Sequence, residues 1–264
     1  MSDLITARVS QALETLRLRT ALGALDEHLR RARERELSPL QFLDGLLGDE
    51  LTTRQERSII VRTKLAHFPS LKTLDSFDFD AQPTLDRRVV NELKTLAFIE
   101  RAENVILCGP SGVGKTHVSI GLGMHALGAG YRAYFLTAQD LLDQIHSAQL
   151  DGIPGHKQRH LNTVPLLIID ELGYVEFEKA AATWLFQLIC QRYEHRSTII
   201  TSNKSFAEWG QIFGGDDTLA GALIDRLLHH SHVLNLKGDS YRLRSRARGT
   251  PRPAGKSGRR VGPP

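Results

Sequence analysis

The sequence predicts an α/β fold in which a five-stranded parallel sheet is flanked by helices and preceded by a small helical bundle. Five short apolar segments alternate with segments of helical periodicity, which is typical of a parallel sheet. A glycine-rich segment at 109–116 connects the first apolar segment to a helix. The apolar run 165–169 ends in Asp170 and Glu171, as expected for a buried strand with carboxylates at its carboxyl end.

The length of 264 residues is enough for one large and one small domain. Its 41% hydrophobic and 24% charged residues are ordinary for a globular protein. No apolar run reaches membrane-spanning length and the first residues lack the apolar core of a signal peptide, so we expect a cytoplasmic protein without membrane contact. Cys108 and Cys190 lie in apolar segments and are expected to be buried, reduced thiols.

Residues 1–66 are predicted to form a domain of three short helices. Capping sequences predict that the second helix begins at Ser38, with Gln41 as reciprocal partner, and that the third begins at Thr53. A scaffold or oligomerisation role and a role in binding DNA or a partner protein both stay open. The first helix has an apolar face formed by Leu18, Leu22, Leu25 and Leu29.

Residues 67–84 are expected to be a linker, and a helix is expected from about 85 to 100.

Residues 109–116 match the phosphate-binding loop G-x-x-x-x-G-K-[ST] in its required strand–loop–helix context. Its backbone N–H groups and the next helix N-terminus present positive partial charge to phosphates. Lys115 is expected to reach the β- and γ-phosphates of ATP, and the Thr116 hydroxyl to bind Mg²⁺. A chance match to the pattern is the alternative.

These expectations make residues 85–243 a P-loop nucleotide hydrolase domain. In nucleotide-binding folds a linker of this kind can lie over the adenine, and Phe77 and Phe79 are its aromatic pair; ordinary core packing is the alternative. Asp170 is expected to hold hydrated Mg²⁺, and Glu171 to polarise the attacking water. Asn203, at the end of the fourth apolar segment, would orient that water or sense the γ-phosphate, unless it is only a turn residue.

The other four strands are expected at about 131–136, 165–169, 197–203 and 233–236, with helices at 178–194 and 219–230. Thr137 with Asp140, and Ser205 with Glu208, are predicted to cap helices. Residues 151–160 are expected to be a mobile loop because they contain Gly152, Pro154 and Gly155. The loop is either solvated or contacts DNA through its basic cluster of His156, Lys157, Arg159 and His160.

Positive charge is concentrated at the C-terminus. Residues 242–264 contain eight Arg and Lys residues and no acidic one, whereas the whole chain carries +4. The segment after the fifth strand is rich in Gly, Pro and Arg, so we do not expect it to build a helical lid domain. Residues 244–264 are predicted to be a disordered basic tail, which either binds nucleic acid or is solvated.

The order of the motifs resembles that of AAA+ ATPases, and finer segments are similar to those of IstB-like transposition helper ATPases, relatives of bacterial helicase loaders. The resemblance covers about residues 5–244. It departs at Glu176, where the family tends to have proline, and in the tail beyond residue 244. The similar segments are Gly-Pro-Ser-Gly-Val-Gly-Lys-Thr-His (109–117), Leu-Ile-Ile-Asp-Glu-Leu-Gly-Tyr (167–174), Thr-Ile-Ile-Thr-Ser-Asn (198–203), Asp-Arg-Leu-Leu-His-His-Ser-His-Val (225–233) and Lys-Gly-Asp-Ser-Tyr-Arg (237–242).

The resemblance implies a homo-oligomer with ATP sites at subunit interfaces. Arg226 would act on the ATP of a neighbouring subunit; an ordinary surface pair with Asp225 is the alternative. Arg242 is a competing candidate that senses nucleotide or DNA. The ATP-binding residues implied are Gly109, Pro110, Ser111, Gly112, Val113, Gly114, Lys115, Thr116 and His117.

The resemblance also implies a function in DNA transposition. The protein would bind duplex DNA without sequence specificity and recruit or stimulate a cognate transposase. One alternative is a helicase loader that docks through residues 1–66 and uses ATP as a switch. A small-molecule kinase is disfavoured, because no segment that could cover an acceptor is evident.

Overall fold

The computed structural model describes residues 2–150 and 154–241, which divide between Leu65 and Ala66 into two compact units. The smaller unit consists of helices α1 (Ser2–Thr15), α2 (Arg19–Glu34) and α3 (Pro39–Leu65). Its buried apolar core is formed by Leu13, Ala21, Leu25 and Leu46.

Glu50 ties α3 to the start of α2. Only 4% of Glu50 is exposed, and its carboxylate accepts hydrogen bonds from the N–H groups of Thr20 and Ala21 and from Arg54 Nε. These bonds, the one from the Ala21 amide foremost, hold the pKa of Glu50 below its usual value. A charged acceptor thereby satisfies amides that a helix N-terminus leaves unpaired.

The prediction of a helix start at Thr53 is wrong. The capping box of Ser38 and Gln41 is confirmed and begins α3, but α3 continues without a break to Leu65. Next to Thr53, the Thr52 hydroxyl donates a hydrogen bond to the Gly48 carbonyl four residues earlier. A threonine can therefore lie inside this helix with its hydroxyl paired and does not have to mark a helix start. The predicted number of three helices is still reached, because α1 precedes the leucine-rich α2.

The larger unit contains a parallel five-stranded sheet, which confirms the predicted fold class. The strands are β1 (Asn104–Cys108), β2 (Ala133–Thr137), β3 (Leu166–Leu172), β4 (Ser197–Ser202) and β5 (Ser231–Asn235). The strand order is β2–β3–β4–β1–β5, and every neighbouring pair is parallel. The phosphate loop therefore follows β1, a strand that lies between β4 and β5.

Helices cover both faces of this sheet. They are α4 (Arg87–Lys94), α5 (Ala97–Glu100), α6 (Lys115–Gly128), α7 (Ala138–Leu150), α8 (Pro154–Thr163), α9 (Lys179–Arg192), α10 (Trp209–Ile212) and α11 (Asp217–His229). One buried cluster joins Val105 and Leu107 of β1 to residues of α4, α5 and α6, and the other joins Ile106 and Cys108 to residues of α7 to α11. Alternate residues of the strand thus enter opposite cores.

Two further helix predictions need correction. The expected helix 85–100 is divided into α4 and α5, because Leu96 has a left-handed φ of 62° and the Thr95 hydroxyl donates to the Glu92 carbonyl at the break. The expected loop 151–160 is helical from Pro154 onwards. Proline at the first helical position loses no hydrogen bond, so it begins α8 and does not interrupt it. Residues 151–153 lie outside the described part.

The predicted caps at Thr137 with Asp140 and at Ser205 with Glu208 are confirmed by reciprocal hydrogen bonds. Residues 67–84, which the sequence predicts to be a linker, belong to the larger unit, where Leu74 lies against Gly121 of α6. Among the described residues, no helix is both long and apolar enough to cross a bilayer.

Candidate functional site

The phosphate loop joins β1 to α6, and Lys115 begins that helix. Only 7% of Lys115 is exposed, and its Nζ donates to the carbonyls of Gly109 at 2.7 Å and Pro110 at 2.8 Å. Gly114 precedes the helix with a left-handed φ of 104°. The loop therefore curves around the lysine, whose ammonium group lies inside the curve where an anion would bind.

Asp170 is buried beside the loop, and its carboxylate accepts hydrogen bonds from two threonines. Thr116 Oγ1 donates to its Oδ2 at 2.9 Å, and Thr201 Oγ1 donates to its Oδ1 at 2.6 Å. Asp170 is 2% exposed, so these bonds fix the orientation of a carboxylate with little access to bulk water. The structure brings together the hydroxyl and the carboxylate that the sequence predicted as the two magnesium-site residues.

Glu171 lies at an irregularity in the sheet. The register between β3 and β4 shifts between Ile169 and Leu172, and Glu171 has a left-handed φ of 63°. Its N–H donates to Thr201 Oγ1 at 3.0 Å, while its side chain is exposed and lines the cavity at the loop. Bulges redirect side chains next to active sites, and this one turns Glu171 away from the β3 core.

One cavity contains most of the predicted site. Its walls come from the segment 72–82, the phosphate loop, the ends of β3 and β4, and the segment after β5. It is lined by Lys72, Ser76, Phe77, Asp78, Ala81, Gln82, Ser111, Gly112, Val113, Gly114, Lys115, Thr116, His117, Glu171, Tyr174, Thr201, Asp239 and Tyr241.

Phe77 and Phe79, the two aromatic residues of the expected linker, have different surroundings. The Phe77 ring lines the cavity and lies so close to Gly114 that a Cβ there would be 2.7 Å from its Cε2. Phe79 packs edge-on against Phe77, and the guanidinium of Arg87 lies 4.7 Å from the centre of the Phe79 ring. His117 anchors the segment 72–82 through a hydrogen bond between its Nε2 and the Thr73 carbonyl at 2.9 Å.

Of the predicted residues that the structure describes, five do not line this cavity, namely Gly109, Pro110, Asp170, Asn203 and Arg226. Asn203 lies at the end of β4, where a Cβ on Gly173 would be 2.7 Å from its Oδ1. Arg226 lies on α11, with its guanidinium 4.9 Å from the centre of the Phe186 ring and bonded to the Ala222 carbonyl. Arg242 lies outside the described residues.

Sequence reasoning assigned no role to Thr201 or Gln82, although both line the cavity. Thr201 belongs to the Thr-Ser-Asn segment, but only the pairing of β3 with β4 shows that its hydroxyl contacts Asp170. Gln82 is buried and donates to the Val113 carbonyl at 3.0 Å, and no motif in the sequence marks it.

Other reactive groups have structural explanations. Burial raises the pKa of the Cys108 thiol, so it stays protonated at neutral pH although Lys115 is near. Glu194, His229 and His230 form an exposed group of possible metal ligands. His229 Nδ1 is hydrogen-bonded to the Tyr193 hydroxyl at 2.5 Å and His230 lies 3.7 Å from Glu194, so side-chain pairing accounts for the grouping.

Comparison with known proteins agrees with this geometry. Residues 11–249 match the family of the IstB-like ATP binding protein. The insertion sequence IS5376 putative ATP-binding protein of Geobacillus stearothermophilus is 49% identical over 215 residues, which are 81% of this chain and 85% of the relative. The IS21 putative ATP-binding protein of Pseudomonas aeruginosa is 44% identical over 238 residues, or 89% of each chain.

Solved structures share the fold at low sequence identity. The DnaC helicase loader superposes with a TM-score of 0.50 and 21% identity, over 57% of this chain and 87% of that chain. DnaI superposes with a TM-score of 0.53 and 17% identity, over 64% of this chain and 89% of that chain. The family match covers most of the chain, and the two insertion-sequence ATP-binding proteins share close to half of its residues over the aligned regions. The chain therefore belongs to the IstB-like ATP binding protein family and is a P-loop ATPase with the AAA+ fold.

Proposed function

We propose that this chain is an ATP-dependent helper of DNA transposition that assembles on duplex target DNA and recruits or stimulates a partner transposase. The family membership supports this proposal, as do relatives described as ATP-binding proteins of insertion sequences. In the proposal the chain binds DNA without sequence preference and forms a homo-oligomer with ATP sites at subunit interfaces. The shared fold with a helicase loader does not by itself favour the loader alternative.

The main structural support for ATPase chemistry is the buried carboxylate of Asp170, which lies beside Lys115 and accepts hydrogen bonds from the hydroxyls of Thr116 and Thr201. A fixed carboxylate and a hydroxyl at the mouth of a phosphate loop are the donor set that suits Mg²⁺. Thr116 and Asp170 would hold the hydrated ion, which when bound neutralises charge on the β- and γ-phosphate oxygens.

The remaining residues have separate proposed roles. Lys115 contacts the phosphates, and the loop amides from Gly109 to His117 enclose them. Glu171, exposed to the cavity, polarises the attacking water, and Asn203 orients it. Arg226 completes the site of a neighbouring subunit.

Two variants test the ATPase assignment. Lys115→Ala should lose tight ATP binding, because the charge inside the loop is gone. Glu171→Gln keeps the shape of the side chain but is a poor acceptor for the water proton, so it should bind ATP and hydrolyse it slowly. Binding is measured with a fluorescent ATP analogue and turnover by phosphate release. Parental hydrolysis by Glu171→Gln would contradict its role.

Strand-transfer assays with a candidate partner transposase, sought as a transposase gene next to the gene for this chain, test the biological role. The parental chain with ATP should bind duplex DNA and raise transposase activity, and Lys115→Ala should not. If the chain instead places a replicative helicase on DNA and leaves the transposase unaffected, the helicase-loader alternative is correct.

A further inference from the structure

Two hydrogen-bond donors from outside the phosphate-loop motif hold carbonyls at the centre of the loop. Gln82 Nε2 donates to the Val113 carbonyl at 3.0 Å, and the Tyr241 N–H donates to the Gly112 carbonyl at 3.0 Å. In a planar trans peptide the C=O and the N–H point in opposite directions. Each bonded carbonyl therefore directs the next N–H, of Val113 or Gly114, to the other side of the loop.

Gln82 is the middle of a chain of hydrogen bonds. Its Oε1 accepts the Thr84 hydroxyl at 2.7 Å, and the Thr84 oxygen accepts the Lys237 N–H at 2.9 Å. Gln82 is 5% exposed, so its amide has a fixed set of partners. A continuous path thus runs from the segment after β5, through Thr84 and Gln82, to the Val113 carbonyl.

The segment after β5 also lies directly on the loop. A Cβ on Gly109 would be 2.0 Å from the Leu236 carbonyl oxygen, and a Cβ on Gly112 would be 2.1 Å from Ser240 Oγ. Gly112 has a left-handed φ of 82°, so glycine is needed there for its backbone as well as for space. These contacts leave the loop little freedom to rotate its peptide groups.

We propose that Gln82, Thr84 and residues 237–241 form a brace that positions the phosphate loop for nucleotide. The proposal rests on the proposed function, since ATP is the ligand concerned. Gln82 and Thr84 act through the loop carbonyls and are positioning residues. Because Tyr241 immediately precedes Arg242, the brace also connects the loop to the start of the basic C-terminal segment.

Thr84 offers a matched pair of variants, because its side chain is exposed and tolerates exchange. Thr84→Val removes the hydroxyl and breaks the chain, so the dissociation constant of a fluorescent ATP analogue should rise about fivefold, as for the loss of one ordinary hydrogen bond. Thr84→Ser keeps the hydroxyl and should bind like the parental chain. Turnover at saturating ATP should stay parental while KM rises, because the bonds affect binding and not the reaction.

Gln82→Met preserves the length of the side chain and removes both hydrogen bonds of its amide group, so it should weaken ATP binding by about tenfold. The double variant of Gln82→Met with Thr84→Val should be no weaker than Gln82→Met alone, because the two residues belong to one path. Thermal unfolding of each variant identifies any general loss of stability. Independent, additive losses would overturn the path.

Tyr241 tests the second donor. Tyr241→Pro lacks the N–H that bonds to Gly112 and should weaken ATP binding, whereas Tyr241→Ala keeps that N–H and removes only the ring. Equal effects of the two variants would show that the ring, not the amide, is responsible.

Parental ATP affinity and KM in both Thr84→Val and Tyr241→Pro would overturn the brace while leaving the ATPase assignment intact. A parental chain that binds no ATP would instead overturn the proposed function. The two failures are therefore distinguishable.

Discussion

At the scale of single residues, Thr201 connects the two acidic residues of the site. Its hydroxyl donates to Asp170 and accepts the N–H of Glu171, so one oxygen fixes a buried carboxylate and the backbone of the residue beside it. A hydroxyl can act as donor and acceptor at once, which no apolar residue of the same shape can do. The position of both acids therefore depends on a residue from the neighbouring strand.

Thr201→Val should lower ATPase activity by about 10–100-fold, the range typical when a residue that orients a metal ligand is removed. Thr201→Ser keeps the hydroxyl and is the matched control. Phosphate release measured over a magnesium titration should show that Thr201→Val needs more Mg²⁺ for half-maximal activity. An unchanged magnesium dependence would contradict the orienting role.

At the scale of elements, the buried guanidinium of Arg192 joins α8, α9 and β4. Arg192 is 1% exposed and donates to the carbonyls of Leu161, Val164 and Ser197 and to Thr198 Oγ1. Burial lowers its pKa to about 9, so it stays charged at neutral pH and its charge is solvated by these oxygens. One side chain of α9 thus satisfies the carbonyls at the end of α8.

Arg192→Met should reduce the free energy of unfolding by about 3 kcal/mol or more, because several buried carbonyls lose their donor. Arg196→Met, an exposed arginine four residues later, is the control and should change the stability by less than about 0.5 kcal/mol. Urea titration followed by circular dichroism measures both. Equal, small effects would show that water replaces the guanidinium at these carbonyls.

At the scale of the whole molecule, Arg226 does not line the cavity of its own chain and packs on Phe186. If it acts on the ATP of a neighbouring subunit, Arg226→Ala should bind nucleotide but lose turnover by about 10³-fold or more. Mixing it with Lys115→Ala should restore part of the activity, because a mixed interface contains one intact loop and one intact arginine. Co-assembled variants that stay inactive would eliminate the shared site.

The basic C-terminal segment is the second whole-molecule feature. Its eight positive charges should add DNA affinity that does not depend on sequence, because each neutralised phosphate releases counterions. Truncation after Leu243 leaves one of those charges, on Arg242, and should flatten the slope of log affinity against log salt concentration. Binding of a duplex oligonucleotide, measured by anisotropy at several salt concentrations, tests this. An unchanged slope would show that the segment is solvated and not bound.

The sequence by itself determined the features that depend on neighbours in the chain. The phosphate loop, the acids after the third strand and the caps at Ser38, Thr137 and Ser205 each need residues only a few positions apart, so their patterns are readable. The same local reasoning placed a false helix start at Thr53, because capping residues also occur inside longer helices. It also assigned residues 151–160 to a loop, although α8 begins at Pro154, because proline is common at the first position of a helix as well as in loops.

Only the tertiary structure decided which distant residues meet at the site. The pairing of β3 with β4 brings Thr201 to Asp170, and the order of β1 and β5 brings Lys237 to Thr84, 153 positions earlier. Hydrogen bonds across such distances in the chain leave no periodic pattern in the sequence. The physical reason is that strand order, not spacing along the sequence, selects the partners of a loop carbonyl or a buried carboxylate.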